Sequence, residues 1–110
     1  MTNKLALDFV SNQVHTLEDS VRRRSRDIRK AEALVLSRRA ALRDSYRLSR
    51  LRARTKAEQV DLDVLIRQTL SGLHVALHHA RRERDALVAK QVQDRRTAAG
   101  LRVLLRAQKG

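Results

Sequence analysis

The sequence contains no cysteine, no proline and only three glycines. Without cysteine it has no disulfide framework and no thiolate metal site, so we expect the reducing environment of the cytoplasm. Proline and glycine make many of the turns in proteins, and a chain with so few of them turns rarely. Good helix formers, chiefly Ala, Leu, Arg, Gln, Glu and Lys, make up most of the rest. This composition predicts an all-α protein.

Aromatic residues and long apolar runs are equally scarce. Phe9 and Tyr46 are the two aromatic residues, which is little for a globular core, so we expect an elongated protein. No run approaches the ~20 apolar residues of a transmembrane helix. The segment LALDFV near the N-terminus is too short and too acidic for the core of a signal peptide. We therefore expect no membrane insertion.

Two stretches of apolar residues follow the alternating four-three step of helices that pack side by side. Arg24 and Arg38 interrupt the first stretch, and Arg84, Gln91 and Asp94 interrupt the second. These heptad stripes predict the surfaces through which the helices pack or meet a partner. The expected packing or interface residues are Val14, Leu17, Val21, Ile28, Val35, Leu70, Leu73, Leu77, Leu87 and Leu101.

The predicted elements are a helix over about residues 8–53, a turn over about 54–60 and a second helix over about 61–107, in a single domain of residues 1–110. TKAE at 55–58 is typical of a helix start, because Thr55 can accept a bond from the backbone of Glu58. A continuous helix through TKAE is the alternative, since neither glycine nor proline enforces a break there. TAAG, which ends at Gly100, is a second place where a helix could end or bend.

Two long amphipathic helices joined by one turn predict a long antiparallel, coiled-coil-like helical hairpin. One register places Asp94 beside Arg24, so that two polar stripe residues pair. Folding back also brings the acidic 57–80 stretch beside basic 38–56, and basic 81–110 beside the acidic N-terminus. A lone hairpin covers only one side of each stripe. We therefore expect a homo-oligomer or a hetero-complex to complete the burial.

The net charge of +13 is concentrated in residues 22–56, where fourteen basic and three acidic residues give +11. At 100° per residue, five arginines fall within an arc of roughly 80° and form a continuous ladder along ~22 Å of helix, namely Arg39, Arg43, Arg47, Arg50 and Arg54. Arg52 lies on the opposite side. Three earlier arginines share one flank of RRRSRDIRK. Like charges along a helix destabilise it slightly, so these arginines favour an acidic ligand. The expected polyanion-binding residues are Arg22, Arg26, Arg29, Arg39, Arg43, Arg47, Arg50 and Arg54.

Motifs for metal binding or catalysis are incomplete. His74 and His78 have the HxxxH spacing that can hold a metal, and His79 and Glu83 repeat it, but no third ligand lies nearby. Histidines that flank a leucine stripe are more often polar residues at an interface. No glycine-rich loop, serine–histidine motif or buried carboxylate pair is evident. We expect no metal, no cofactor, no small-molecule substrate and no enzymatic activity.

The sequence therefore predicts a non-enzymatic basic helical hairpin that binds a polyanion. Nucleic acid, contacted through its phosphates with little base readout, is the leading partner, and an acidic protein surface fits the charges equally well. The alternative is a coiled-coil adaptor, stalk, assembly factor or chaperone in a larger machine, such as a bacterial secretion or flagellar export apparatus. A regulator that dimerises through the hairpin is a third possibility. A membrane surface fits less well, because no broad apolar face lies opposite the arginines.

Overall fold

The fold is an all-α helical hairpin, as the heptad stripes predict. The structure, a computed structural model, describes residues 4–109. Helix α1 spans Lys4–Ser45, a 3-10 helix spans Tyr46–Arg50, and helix α2 spans Lys56–Lys109. No helix within this described range carries an apolar stretch long enough to cross a membrane.

Helix α1 is shorter than predicted, because its stripe positions after Leu42 are Ser45, Ser49 and Arg52, which offer no apolar side chain to pack against α2. The Ser45 hydroxyl donates to the carbonyl of Ala41 at 2.7 Å, and the Ser49 hydroxyl donates to that of Tyr46 at 2.6 Å. The α-helix therefore ends at Ser45 and tightens into the 3-10 helix, instead of continuing to about residue 53.

The chain turns without glycine between the 3-10 helix and α2. Leu51 takes an extended conformation, with φ −66° and ψ 140°, and α2 begins at Lys56 rather than at about 61. The Thr55 hydroxyl accepts the backbone N–H of Glu58 at 3.2 Å, which confirms the helix start predicted at TKAE. The Gln59 side chain accepts the backbone N–H of Ala53 at 2.7 Å and thereby fastens the turn to the first turn of α2.

Helix α2 continues through both of its glycines. Gly72 and Gly100 lie inside the helix, and TAAG does not end it. Neither glycine has a positive φ. A helix-favouring sequence on both sides therefore outweighs the cost of roughly 1 kcal/mol that glycine carries relative to alanine.

The chain divides into two compact units. The terminal unit contains the described residues up to Arg29 and from Asp85 onward, and the turn unit contains Lys30–Arg84. Each unit pairs a segment of α1 with a segment of α2. Every one of the ten predicted packing residues is buried or partly buried.

The terminal unit combines apolar packing with polar bonds between its two helical segments. Val14, Ile28 and Ala98 are buried. Arg24 and Asp94 form an ion pair, so the register predicted from these two residues is confirmed. Buried Gln91 donates to the Val21 carbonyl at 3.0 Å and to the Ser25 hydroxyl at 2.7 Å. The stripe positions that carry polar residues are therefore satisfied by each other and by the backbone.

The turn unit has a small apolar core. Val35 and Leu42 of α1 pack with Leu77 and Ala80 of α2, and each of these side chains is at most 9% exposed. Leu70 and Leu73 cover this cluster from the side of the turn. The cluster brings the arginine-rich end of α1 against α2.

Candidate functional site

The eight arginines predicted to bind a polyanion are all exposed, but they lie in different elements. Three belong to α1 in the terminal unit and two to α1 in the turn unit. Two belong to the 3-10 helix, and the last lies in the turn before α2. In that order they are Arg22, Arg26 and Arg29, then Arg39 and Arg43, then Arg47 and Arg50, and finally Arg54.

The predicted continuous ladder from Arg39 to Arg54 is wrong. It required an unbroken α-helix, whereas α1 ends at Ser45. Arg39 and Arg43 remain one helical turn apart on α1. Arg47 and Arg50 share a face of their own, because a 3-10 helix has three residues per turn. The ladder is thus replaced by two short pairs followed by Arg54.

A surface groove in the turn unit places one of these pairs beside helix α2. Its lining is mainly apolar, and an aromatic side chain and three arginine side chains contribute to it. We call it the arginine groove, and it is lined by Arg39, Leu42, Arg43, Tyr46, Leu77 and Arg81.

Acidic side chains compensate little of the charge at this groove. The Asp44 carboxylate lies 3.8 Å from Nε of Arg43, but both side chains are largely exposed, so their attraction is weak. The acidic 57–80 stretch was expected beside residues 38–56. Among the described side chains, however, no ion pair joins the two stretches. The charge of the groove is therefore left mostly to solvent or to a ligand.

Tyr46 is fixed at the end of the groove by a residue of α2. Its hydroxyl oxygen and Nε2 of His74 share a hydrogen bond of 2.9 Å. The two rings meet edge to face, with centroids 6.2 Å apart and planes at 76°. Tyr46 is still 49% exposed. The site therefore offers an oriented aromatic ring next to its positive charges.

Of the three predicted arginines in the terminal unit, one forms an ion pair. Arg22 pairs with Asp19, and these two residues border a shallow depression together with Arg23 and Arg26. Arg29 is exposed but is not part of that depression. The flank predicted from RRRSRDIRK is thus only partly assembled, and it already contains a carboxylate.

Sequence reasoning missed Arg81 and Tyr46. Arg81 lies 13 positions before Asp94, and the position 13 residues after Arg24 is Ser37, within one helical turn of Arg39. Extending the predicted register along the hairpin would therefore have placed Arg81 beside the arginines of α1. Tyr46 carried no such signal, because its position depends on where α1 ends.

The histidines of α2 do not form a metal site within the described part of the chain, where no three His, Cys, Asp or Glu side chains lie close enough together to hold an ion. His74 bonds to Tyr46 instead. The rings of His78 and His79 lie 6.3 Å apart at 59°. The arginine groove thus differs from the other described depressions in combining arginine side chains from both helices with an oriented aromatic ring.

Comparison with known proteins adds no further identification. No protein-family model matches the chain, and no match was found among the curated proteins or the solved structures.

Proposed function

We propose that this protein is a non-enzymatic helical hairpin that binds nucleic acid through its phosphates at the turn unit. The observation that carries the proposal is the arginine groove, where Arg39 and Arg43 of α1 meet Arg81 of α2. If the two helices only had to pair with each other, opposite charges on α1 and α2 at this position would stabilise the hairpin. Three like charges are explained by an anion that lies between them.

Phosphate is the anion that suits these three residues. Arginine keeps its charge at any physiological pH, and its planar fork donates two parallel hydrogen bonds to phosphate oxygens. Bonds to a charged acceptor are about twice as strong as neutral ones. A phosphate in the groove would thus replace the repulsion between the arginines with attraction.

The arginines beyond the groove favour a polymer over a single phosphate. Arg47 and Arg50 lie on the adjoining 3-10 helix, and Arg54 lies in the turn that follows. None of these three forms an ion pair within the described residues. A row of free guanidinium groups next to an anion site can follow a phosphate backbone and release its counterions.

The test is a fluorescence-anisotropy titration with short labelled DNA and RNA, single-stranded and duplex, at several salt concentrations. The decisive variant carries Arg39→Gln, Arg43→Gln and Arg81→Gln. The control carries Arg67→Gln, Arg96→Gln and Arg106→Gln, which removes the same charge from exposed arginines outside the groove. Glutamine is also a good helix former, so helicity should be kept.

We expect tight binding that weakens steeply with salt. Loss of three phosphate contacts should lower the slope of log affinity against log salt by about 2 to 3 in the groove variant. The control should keep the wild-type slope. Absence of binding at low salt, or equal losses in the two variants, would contradict the proposal.

A protein-binding adaptor is the second candidate, and exposed apolar side chains favour it. Val60, Val64 and Leu65 are between 44% and 62% exposed at the start of α2, beside exposed Glu58 and Asp61. Such a surface suits a partner with apolar and basic residues. This candidate becomes the leading one if no nucleic acid binds at low salt.

A further inference from the structure

We propose that the arginine groove holds one unpaired nucleotide, so that the protein prefers single-stranded nucleic acid. This inference rests on the proposed function and extends it from the phosphate to the base. It depends on the combination of three exposed arginine side chains, an apolar floor and an oriented tyrosine at one groove.

The floor of the groove is apolar, so it suits the face of a nucleotide base better than it suits water. Leu42 and Leu77 are only 9% and 5% exposed, so the apolar surface they show lies at the bottom of the groove. Arg39, Arg43 and Arg81 border this surface. A nucleotide has the same two-part chemistry, a base with flat apolar faces that a sugar joins to a charged phosphate.

Tyr46 supplies the aromatic face on which a base can stack. Its hydrogen bond to His74 orients the ring before any ligand arrives, so little further ordering is needed on binding. Its ring is about half exposed and borders the groove. Basic grooves with aromatic rings are the usual means of binding single strands without sequence preference, because every base has a π-face.

A duplex cannot use this part of the site. Its bases are stacked on one another, and only their edges and the phosphates are presented to a protein. The leucine floor and the Tyr46 ring would then contribute nothing. Single strands present unstacked bases, and the arginines of the 3-10 helix and the turn can follow the adjoining phosphates.

The experiment compares four labelled probes of about 12 nucleotides or base pairs, within the usual range of single-strand sites. They are oligo(dT), oligo(U), an abasic strand with the same phosphate backbone, and a DNA duplex. We expect at least one of the two base-bearing strands to bind roughly 5-fold or more tightly than the abasic strand. If both bind in this way, the site accepts DNA and RNA alike.

Substitutions at Tyr46 test whether its aromatic ring contributes to binding. Tyr46→Ala should weaken binding of the base-bearing strand roughly 5- to 100-fold and leave the abasic strand and the duplex unchanged. Tyr46→Phe keeps the ring and loses only the bond to His74, so it should lose less than 5-fold in affinity and clearly less than Tyr46→Ala. Phe9→Ala is the matched control, because Phe9 is an exposed aromatic residue of the terminal unit, outside the groove. It should leave every affinity unchanged.

The outcomes separate this inference from the proposed function. If all four probes bind alike and Tyr46→Ala changes none of them, the nucleotide site is overturned while phosphate binding stands. If no probe binds, both are overturned. Should circular dichroism show that Tyr46→Ala is unfolded, the Tyr46→Phe variant and the abasic strand still decide. A Tyr46→Phe loss of 5-fold or more, or equal binding with and without bases, would contradict the inference.

Discussion

Single polar residues determine how the two helices align. An apolar stripe alone tolerates slippage by a heptad, because leucine and valine positions look alike in each repeat. Arg24 and Asp94 lie at stripe positions, with side chains only 20% and 16% exposed, and they pair across the helices. Any other register would leave one of these charges partly buried without its partner. The pair thus selects the register, whatever its net contribution to stability.

Removal of one partner should therefore cost more than removal of both. Asp94→Ala leaves Arg24 partly buried and unpaired, and we expect a loss of about 1 to 3 kcal/mol in the free energy of unfolding. Replacement of both residues by leucine extends the apolar stripes and should restore or exceed wild-type stability. Urea unfolding followed by circular dichroism, at fixed protein concentration, measures all three proteins. Equal stability of wild type and Asp94→Ala would show that the pair does not contribute.

Glu18 should make stability depend on pH in mild acid. The hydrogen bond from Arg102 lowers the pKa of Glu18, and the positive charges of Arg102, His15 and Arg22 act in the same direction, whereas partial burial opposes them. Because the pKa is lower in the folded state, the ionised carboxylate favours folding above the ordinary glutamate pKa. That contribution should disappear as the pH falls through the lowered pKa.

The comparison of wild type with Glu18→Gln isolates this contribution. We expect the variant to melt at a lower temperature near neutral pH, and the difference in Tm to shrink as the pH falls below the ordinary glutamate pKa and through the lowered pKa of Glu18. Glu32→Gln removes an exposed carboxylate from the turn unit and serves as the control for loss of negative charge alone. A Tm difference that stays constant across this pH range would contradict the assigned role of Glu18.

At the scale of the helices, the internal glycines of α2 make this helix less stable than alanine at the same positions would. Nothing lies within 4 Å of a Cβ built on Gly72, and its φ is not positive. Gly72→Ala should therefore stabilise the protein by about 1 kcal/mol, through helix propensity alone. Ala89→Gly, at another exposed position of α2, should produce a change of similar size and opposite sign. A fall in Tm for Gly72→Ala would indicate that the glycine is needed for a contact outside the single chain.

The stripes predicted the two helices, because heptad spacing is a local property of the sequence, and the polar residues Arg24 and Asp94 within the stripes predicted the register. The start of α2 was predictable for the same reason, since Thr55 and Glu58 lie within one turn of each other. The end of α1 was not, because the composition of residues 46–53 still favours a helix although the apolar stripe is lost after Leu42. Helix propensity alone does not show where a helix ends once packing against its neighbour no longer supports it.

Part of the candidate site was also predictable from local features of the sequence. Arg39 and Arg43 are one turn apart in sequence, so their common face follows from helical periodicity. Arg81 lies at the groove only because α1 packs against α2, and Tyr46 lies there only because α1 ends early. Local periodicity finds charges that lie along one helix. Groups that different elements contribute to one groove require the tertiary register.

For the molecule as a whole, positive charge exceeds what folding requires. The chain carries 25 basic and 12 acidic residues, and the pairs Arg24–Asp94, Arg102–Glu18 and Arg22–Asp19 account for only a few of them. The remaining positive charges repel one another in the folded protein. Repulsion concentrated at the arginine groove is a cost to the free protein that a bound polyanion would remove.

Neutralising the groove should therefore stabilise the protein while it weakens ligand binding. The Arg39→Gln, Arg43→Gln and Arg81→Gln variant should melt at a higher temperature than wild type in low-salt buffer without ligand. The difference should shrink as salt is added, because the screening length falls from about 10 Å at 0.1 M to about 3 Å at 1 M. Differential scanning calorimetry across this range measures it.

The control with Arg67→Gln, Arg96→Gln and Arg106→Gln distinguishes local repulsion from the general effect of lower net charge. Its three positions lie outside the groove, so we expect a smaller rise in Tm at low salt. A groove variant that melts below wild type would show that these arginines make stabilising contacts in the free protein. A rise that exceeds the control and disappears at high salt would show that the groove is strained by its own charge, as an anion site without its ligand should be.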